Sequence, residues 1–218
     1  MKLVHHGAHE GVTGSCHQYW LSEKQSVLID CGTFQGRDAR YNPNPEINFS
    51  LEGIASLLLT HVHIDHVGRV PYLLGAGFKA PIYCSRPTAK LLPLVMEDAL
   101  RIGFTKNKRA IDFFLKHIGE MLRPLPYGKW HAIEAGAKIR LSPAGHVLGS
   151  TIFEIESKDG TVAVFSGDLG PKESPLLNPP ISPPRADLLV LESTYGDRLH
   201  QPLKDRQHQL ESILCKTL

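Results

Sequence analysis

The segment His61-Val62-His63-Ile64-Asp65-His66 carries four side chains able to ligate a metal ion within six residues. Imidazole and carboxylate suit zinc and, less strictly, manganese or iron. The apolar run Ile54 to Leu59 comes directly before it. Side chains of a strand alternate between two faces, so His61 and His63 leave the strand end on the same side. Asp65 and His66 follow in the turn and can serve a second position nearby. A histidine cluster can also be a solvated loop or a nonspecific metal-binding tract. Three further segments argue against that. His146 sits among glycines in Pro143 to Ser150, Asp168 ends the apolar run that starts at Val162, and Asp30 ends the run Ser26 to Ile29. An aspartate after an apolar strand is by itself more often a turn former. Each of these residues, however, falls at a strand end, where a rigid sheet can fix ligand geometry while loops admit substrate.

The elements that must hold these residues alternate between strand and helix. Apolar runs predict strands near 2–6, 17–21, 26–30, 54–60, 81–84, 138–142, 151–157, 161–166 and 187–192. A short helix is expected over 66–76, with Pro71 in its first turn. Helical spacing predicts longer helices over 87–102 (Leu91, Leu92, Val95, Leu100) and 107–122 (Ile111, Phe114, Leu115, Ile118, Leu122). Their Met and Phe residues are expected in the core. Proline and glycine mark loops at 42–46 and 171–184. No internal repeat is visible.

With 218 residues, 42% hydrophobic and 21% charged, the chain can bury a substantial single core. No apolar run reaches the ~20 residues that cross a bilayer, so no membrane partner is expected. The four cysteines (Cys16, Cys31, Cys84, Cys215) show no CxxC spacing. They read as reduced thiols, which implies a cytoplasmic protein. Cys31, beside Asp30, reads as a small buried residue. The net charge of +2 does not announce a nucleic-acid binder. A local basic patch is possible at Arg101, Lys106, Lys108, Arg109 and Lys116, and a solvated helix face explains it equally well.

His61, His63, Asp65, His66, His146 and Asp168, in this order, resemble the signature of the metallo-β-lactamase superfamily. Leu191-Glu192-Ser193-Thr194-Tyr195-Gly196 resembles the Glu-Ser-Thr-Tyr-Gly motif of its β-CASP branch, whose members process nucleic acids. Gly11-Val12-Thr13-Gly14-Ser15-Cys16 and Arg86-Pro87-Thr88-Ala89 are similar to that branch as well. The resemblance implies an α/β fold, the αββα sandwich, with the metals at one edge between the sheets. It implies a metallo-β-lactamase domain over 1–196, with a helical insert at about 86–124, and the start of a β-CASP domain over 197–218.

The same resemblance implies two zinc ions. His61, His63 and His146 would form one site, Asp65 and His66 a second, and Asp168 would bridge them. A metal-bridging hydroxide would then attack an RNA phosphodiester. Asp30 would orient the metal loop without ligating, and Glu192 would assist leaving-group protonation. The branch continues beyond this motif with a cassette and a seventh ligand, a histidine. The expectation is therefore of an incomplete sandwich, truncated at the start of the cassette, with an under-coordinated second site. His200 and His208, like His5, His6, His9, His17, His117 and His131, are expected to be surface residues. Single-stranded RNA is the expected partner, DNA the alternative, and a homodimer is possible. Two other readings stay open: a hydrolase of a small ester, thioester or lactone, and an inactive fragment that only binds RNA or a partner.

Overall fold

The computed structural model describes residues 2–199 and 203–217. His200 lies outside them. The elements in chain order are β1 (Lys2–Gly7), β2 (Cys16–Trp20), β3 (Ser26–Ile29), α1 (Asp38–Tyr41), β4 (Ile54–Leu58), α2 (Ile64–Val67) and α3 (Val70–Gly75). There follow β5 (Ile82–Ser85), α4 (Arg86–Gly103), α5 (Lys108–Met121), β6 (Leu122–Leu125), β7 (Trp130–Ala132) and β8 (Lys138–Pro143). The last are β9 (Thr151–Glu156), β10 (Val162–Phe165), β11 (Leu188–Val190) and α6 (Leu203–Thr217).

They form a six-stranded sheet in the order β1-β2-β3-β4-β5-β6 and a five-stranded sheet in the order β11-β10-β9-β8-β7. In the first sheet β1 to β3 are antiparallel and β3 to β6 parallel. Its central strands β3, β4 and β5 are largely buried on both faces, as parallel strands covered on both sides must be. Val27, Ile29, Leu58 and Tyr83 face the second sheet, where they meet Ile139, Leu141, Phe153, Ile155 and Phe165. The alternate residues Leu28, Leu57, Ile82 and Cys84 face the helices and pack on Val70, Leu73, Leu92, Met96 and Ile118. The outer face of the second sheet carries a smaller cluster of Ala144, Ile152, Val162 and Val164. Among the described residues the layers are thus helix, sheet and sheet, three of the four layers of an αββα sandwich.

Several expectations need correction. The helix expected over 66–76 is two, α2 and α3, because the chain turns at Gly68-Arg69. The buried Arg69 donates from Nε to the carbonyl of Gly32 (2.7 Å), and this pins the break. Pro71 does fall in the first turn of α3. Two strands lie outside the expected runs. β6 contains Pro124 and sits at a sheet edge, where proline is tolerated; β7 has only three residues. Met96 and Met121 are buried, but Phe113 is 75% exposed. His17 is buried and not at the surface: its Nδ1 lies 2.8 Å from Nδ1 of His5 across the β1–β2 pair. His208 is exposed beside Glu211. In the basic patch Arg101 pairs with Glu97 at 2.6 Å, and Lys106, Lys108, Arg109 and Lys116 are exposed.

Candidate metal centre

β4 ends at Leu58, and the chain leaves the sheet through Leu59 and Thr60 into His61 to His66. Two neighbouring segments hold this loop. Cys31 N–H donates to the His66 carbonyl (2.8 Å), and Thr33 N–H donates to the Ile64 carbonyl (3.0 Å). Ser15 N–H donates to the Asp65 carbonyl (2.9 Å). Gly32 lies so close to the loop that a Cβ there would stand 1.5 Å from the Asp65 carbonyl oxygen.

The second sheet supplies the other side. His146 follows β8, and its loop is closed by Ser150, whose Oγ accepts from the N–H groups of His146 (3.0 Å) and Val147 (3.2 Å). Ser85, which also caps α4, and Thr88 both donate to the Gly149 carbonyl, at 2.7 and 2.9 Å. The first turn of α4 therefore anchors the His146 loop. Asp168 follows β10, and Glu192 braces the residue after it. One Glu192 oxygen accepts from Leu169 N–H (3.2 Å) and the other from Thr194 N–H (3.1 Å).

The donor atoms of His61, His63, His146 and Asp168 all lie within 4.8 Å of one another. His146 Nε2 is 3.1 Å from His63 Nδ1 and 3.4 Å from Asp168 Oδ2, and His61 Nε2 is 3.8 Å from that same oxygen. Ligands on a tetrahedron with bonds of ~2.1 Å stand roughly 3.4 Å apart, so the spacing fits one ion. His61 Nε2 is also buried without a hydrogen-bond partner. A buried polar atom left unpaired costs free energy, and a metal ion would satisfy it.

A second position lies beside the first. Asp168 Oδ1 is 3.1 Å from His66 Nε2, and Asp65 Oδ2 is 4.0 Å from that nitrogen. One oxygen of Asp168 thus faces His61 and His146 while the other faces His66. The pocket next to it has a volume of about 480 Å³ and is lined by His66, Asp168, Glu192, Ser193, Thr194 and His17.

Electrostatics separate the histidines. Burial, reinforced by the charge on His66, pushes His61 down to about 2, so its ring stays neutral, as a ligand must be. Burial also acts to lower His66, but Asp30 and Asp168 outweigh it and raise its pKa to about 10. Burial would raise Asp168, yet its bond to His66 and the surrounding imidazoles bring it down to about 2. A metal ion entering between His66 and Asp168 must displace a proton, so its binding there weakens as pH falls.

Asp30 is almost fully buried and has φ of 58°, in the left-handed region. Its Oδ1 accepts from Thr60 N–H (2.8 Å), and its Oδ2 accepts from Thr60 Oγ1 (2.7 Å) and from His66 Nδ1 (2.7 Å). Its carboxylate is thus committed to orienting His66 and the start of the metal loop. Asp30→Ala is expected to weaken metal affinity ~10–100-fold, the range for loss of a group that orients a ligand. Competition with a chromophoric chelator measures this, and unchanged affinity would refute the role. The sequence gives Thr60 and Ser85 no role, and it shows Thr88 and Ser150 only as members of the segments Arg86 to Ala89 and Pro143 to Ser150. Thr60 alone left a sign there, as the hydroxyl that breaks an apolar run directly before His61.

The profile of the metallo-beta-lactamase superfamily matches residues 11–207. The chain is 40% identical over 220 residues to "Ribonuclease TTHA0252" of Thermus thermophilus, covering all of this chain and 49% of that protein. It is 32% identical to "Transcription termination factor FttA" of Methanothermobacter thermautotrophicus, again over the whole chain and over 35% of that relative. The FttA of Methanocaldococcus jannaschii is 36% identical over 97% of this chain and 34% of its own length. The chain therefore spans from about a third to about half of these relatives. A protein of unknown function from Enterococcus faecalis V583 superposes with a TM-score of 0.56 at 16% identity, over 77% of this chain and 43% of that one, a likeness of fold. With the profile running through His61 to His66, His146 and Asp168, the chain belongs to the metallo-beta-lactamase superfamily.

Proposed function

We propose that this chain carries the metal centre of a zinc-dependent RNA phosphodiesterase. The observation that carries the reading is the convergence of His61, His63, His146 and Asp168, with Nε2 of His61 buried and unpaired. His61, His63, His146 and Asp168 would hold one zinc, and Asp65, His66 and Asp168 a second. When bound, zinc supplies Lewis acidity toward a phosphoryl oxygen and an acidified water.

The protein's own groups prepare that chemistry. Asp168 directs one oxygen to each position and stays ionised over the working pH range. Asp30 fixes the ring of His66 through Nδ1 and leaves Nε2 toward the site. Glu192 lines the same pocket as Asp168 and His66, which supports its reading as the residue that assists leaving-group protonation. RNA is favoured over small substrates by the Glu192 to Gly196 motif and by relatives named as a ribonuclease and as transcription termination factors. In this reading the protein works in the cytoplasm.

The test incubates the gene product carrying this sequence with a labelled single-stranded RNA, the matching DNA, a thioester and a lactone. The expected result is RNA cleavage that a chelator abolishes and added zinc restores. Thioester or lactone hydrolysis without cleavage of RNA would overturn the assignment, and preferential cleavage of DNA would move it to that polymer.

A further inference from the structure

We infer that Thr60 is a positioning residue, whose hydroxyl sets the tautomer of His61 and aims Nε2 of that ring at the metal position. The inference rests on reading the centre as a metal site. It follows from counting hydrogens. A threonine hydroxyl has one hydrogen to donate and lone pairs with which to accept. Thr60 Oγ1 lies 2.7 Å from Asp30 Oδ2 and 3.1 Å from His61 Nδ1. An ionised carboxylate only accepts, so the single hydroxyl hydrogen goes to Asp30. What Oγ1 presents to His61 is a lone pair, and Nδ1 of His61 must therefore carry the ring hydrogen. A neutral imidazole has one such hydrogen, so Nε2 of His61 is left as a bare lone pair. That nitrogen is the buried atom without a partner, 3.8 Å from Asp168 Oδ2.

Asp30 thus orients two histidines by different routes, His66 directly and His61 through Thr60. Aspartate could not easily do both alone. Its Oδ1 takes Thr60 N–H, while Oδ2 already takes His66 Nδ1 and, at 3.4 Å, the hydroxyl of Ser15. The hydroxyl of Thr60 cannot swing away. Its residue is 1% exposed, and Gly167 packs on it so closely that a Cβ there would come within 2.7 Å of Thr60 Cβ. Gly167 directly precedes Asp168, so the same contact joins the two halves of the centre.

Thr60→Val keeps the shape and removes the relay, and Thr60→Ser keeps the relay. Zinc affinity by chelator competition and the visible spectrum of the cobalt-substituted protein are compared for the parent and both variants. Thr60→Val is expected to bind the first ion ~10–100-fold more weakly, as losses of ligand-orienting groups do. Its cobalt spectrum should change, and Thr60→Ser should restore both readouts. A folded Thr60→Val with the parent's affinity and spectrum would overturn the inference. If Thr60→Val does not fold, nitrogen-resolved NMR of the metal-free parent reports the His61 tautomer with no substitution. Hydrogen on Nδ1 is the expected result, and hydrogen on Nε2 overturns the inference. A parent chain that binds no metal at all would instead sink the metal-site reading, while the NMR result would still decide the tautomer.

Discussion

Asp168→Ala is expected to abolish zinc retention at both positions of the centre. Its two oxygens face different partners, His66 on one side and His61 with His146 on the other. Without it the first position keeps three imidazoles, and the second keeps only Asp65 and His66. The loss should also leave His66 without the anion that bonds its Nε2. The fold itself should survive, because the Asp168 side chain is 29% exposed and packs little apolar surface. On the proposed function, RNA cleavage should fall by more than the ~10²–10³-fold that follows removal of one electrostatic contact to a transition state. Elemental analysis after dialysis, beside the RNA assay, checks both parts. A folded variant that retains two zinc ions would remove Asp168 from the bridging role.

Gly32→Ala is expected to damage both the centre and the fold. An added Cβ would stand 1.5 Å from the Asp65 carbonyl oxygen, 2.0 Å from its carbon and 2.6 Å from His66 N–H nitrogen. These are backbone atoms, so no rotamer change relieves the clash. They also belong to a loop held by three backbone hydrogen bonds, from Ser15, Cys31 and Thr33, so the loop cannot slide freely. Inserting a methyl group into a well-packed site costs ~1–3 kcal/mol, and a contact this short belongs at or above the upper end. For a chain of this size a loss of about 3 kcal/mol lowers Tm by about 6–12 °C. Zinc affinity should fall with it, because Asp65 and His66 move together with their backbone. Calorimetry of the metal-free variant measures the first effect. An unchanged Tm would show that the neighbouring loop yields, contrary to the packing described.

What could be read from the sequence depended on whether the signal was local. Strands such as β3, β4 and β10 are short apolar runs that stop at a polar residue, and pattern alone reveals them. The histidines were legible because four potential ligands in six residues are rare without a metal, and the structure brings His61, His63 and His146 together with Asp168. β6 was illegible because Pro124 reads as a strand breaker unless one knows that it lies at an edge. The break between α2 and α3 depends on Arg69 reaching Gly32, a contact across 37 positions. His17 read as a polar surface residue, and only its register opposite His5 explains its burial. Thr60 is the clearest case. It falls at the end of the strand expected over 54–60, and its task depends on an aspartate thirty residues earlier.

The centre draws its histidine cluster from the first sheet and His146 and Asp168 from the second, and this division has a consequence for synthesis. The ribosome releases His61 to His66 roughly a hundred residues before Asp168. At ~5–20 residues per second that interval lasts about 5–20 s. Throughout it the nascent chain displays an imidazole cluster with no bridging carboxylate and no second sheet to shield it. Such a cluster can pick up stray transition metals but cannot hold them in the final geometry. Assembly of the full set of candidate ligands is therefore an event that follows translation of β10.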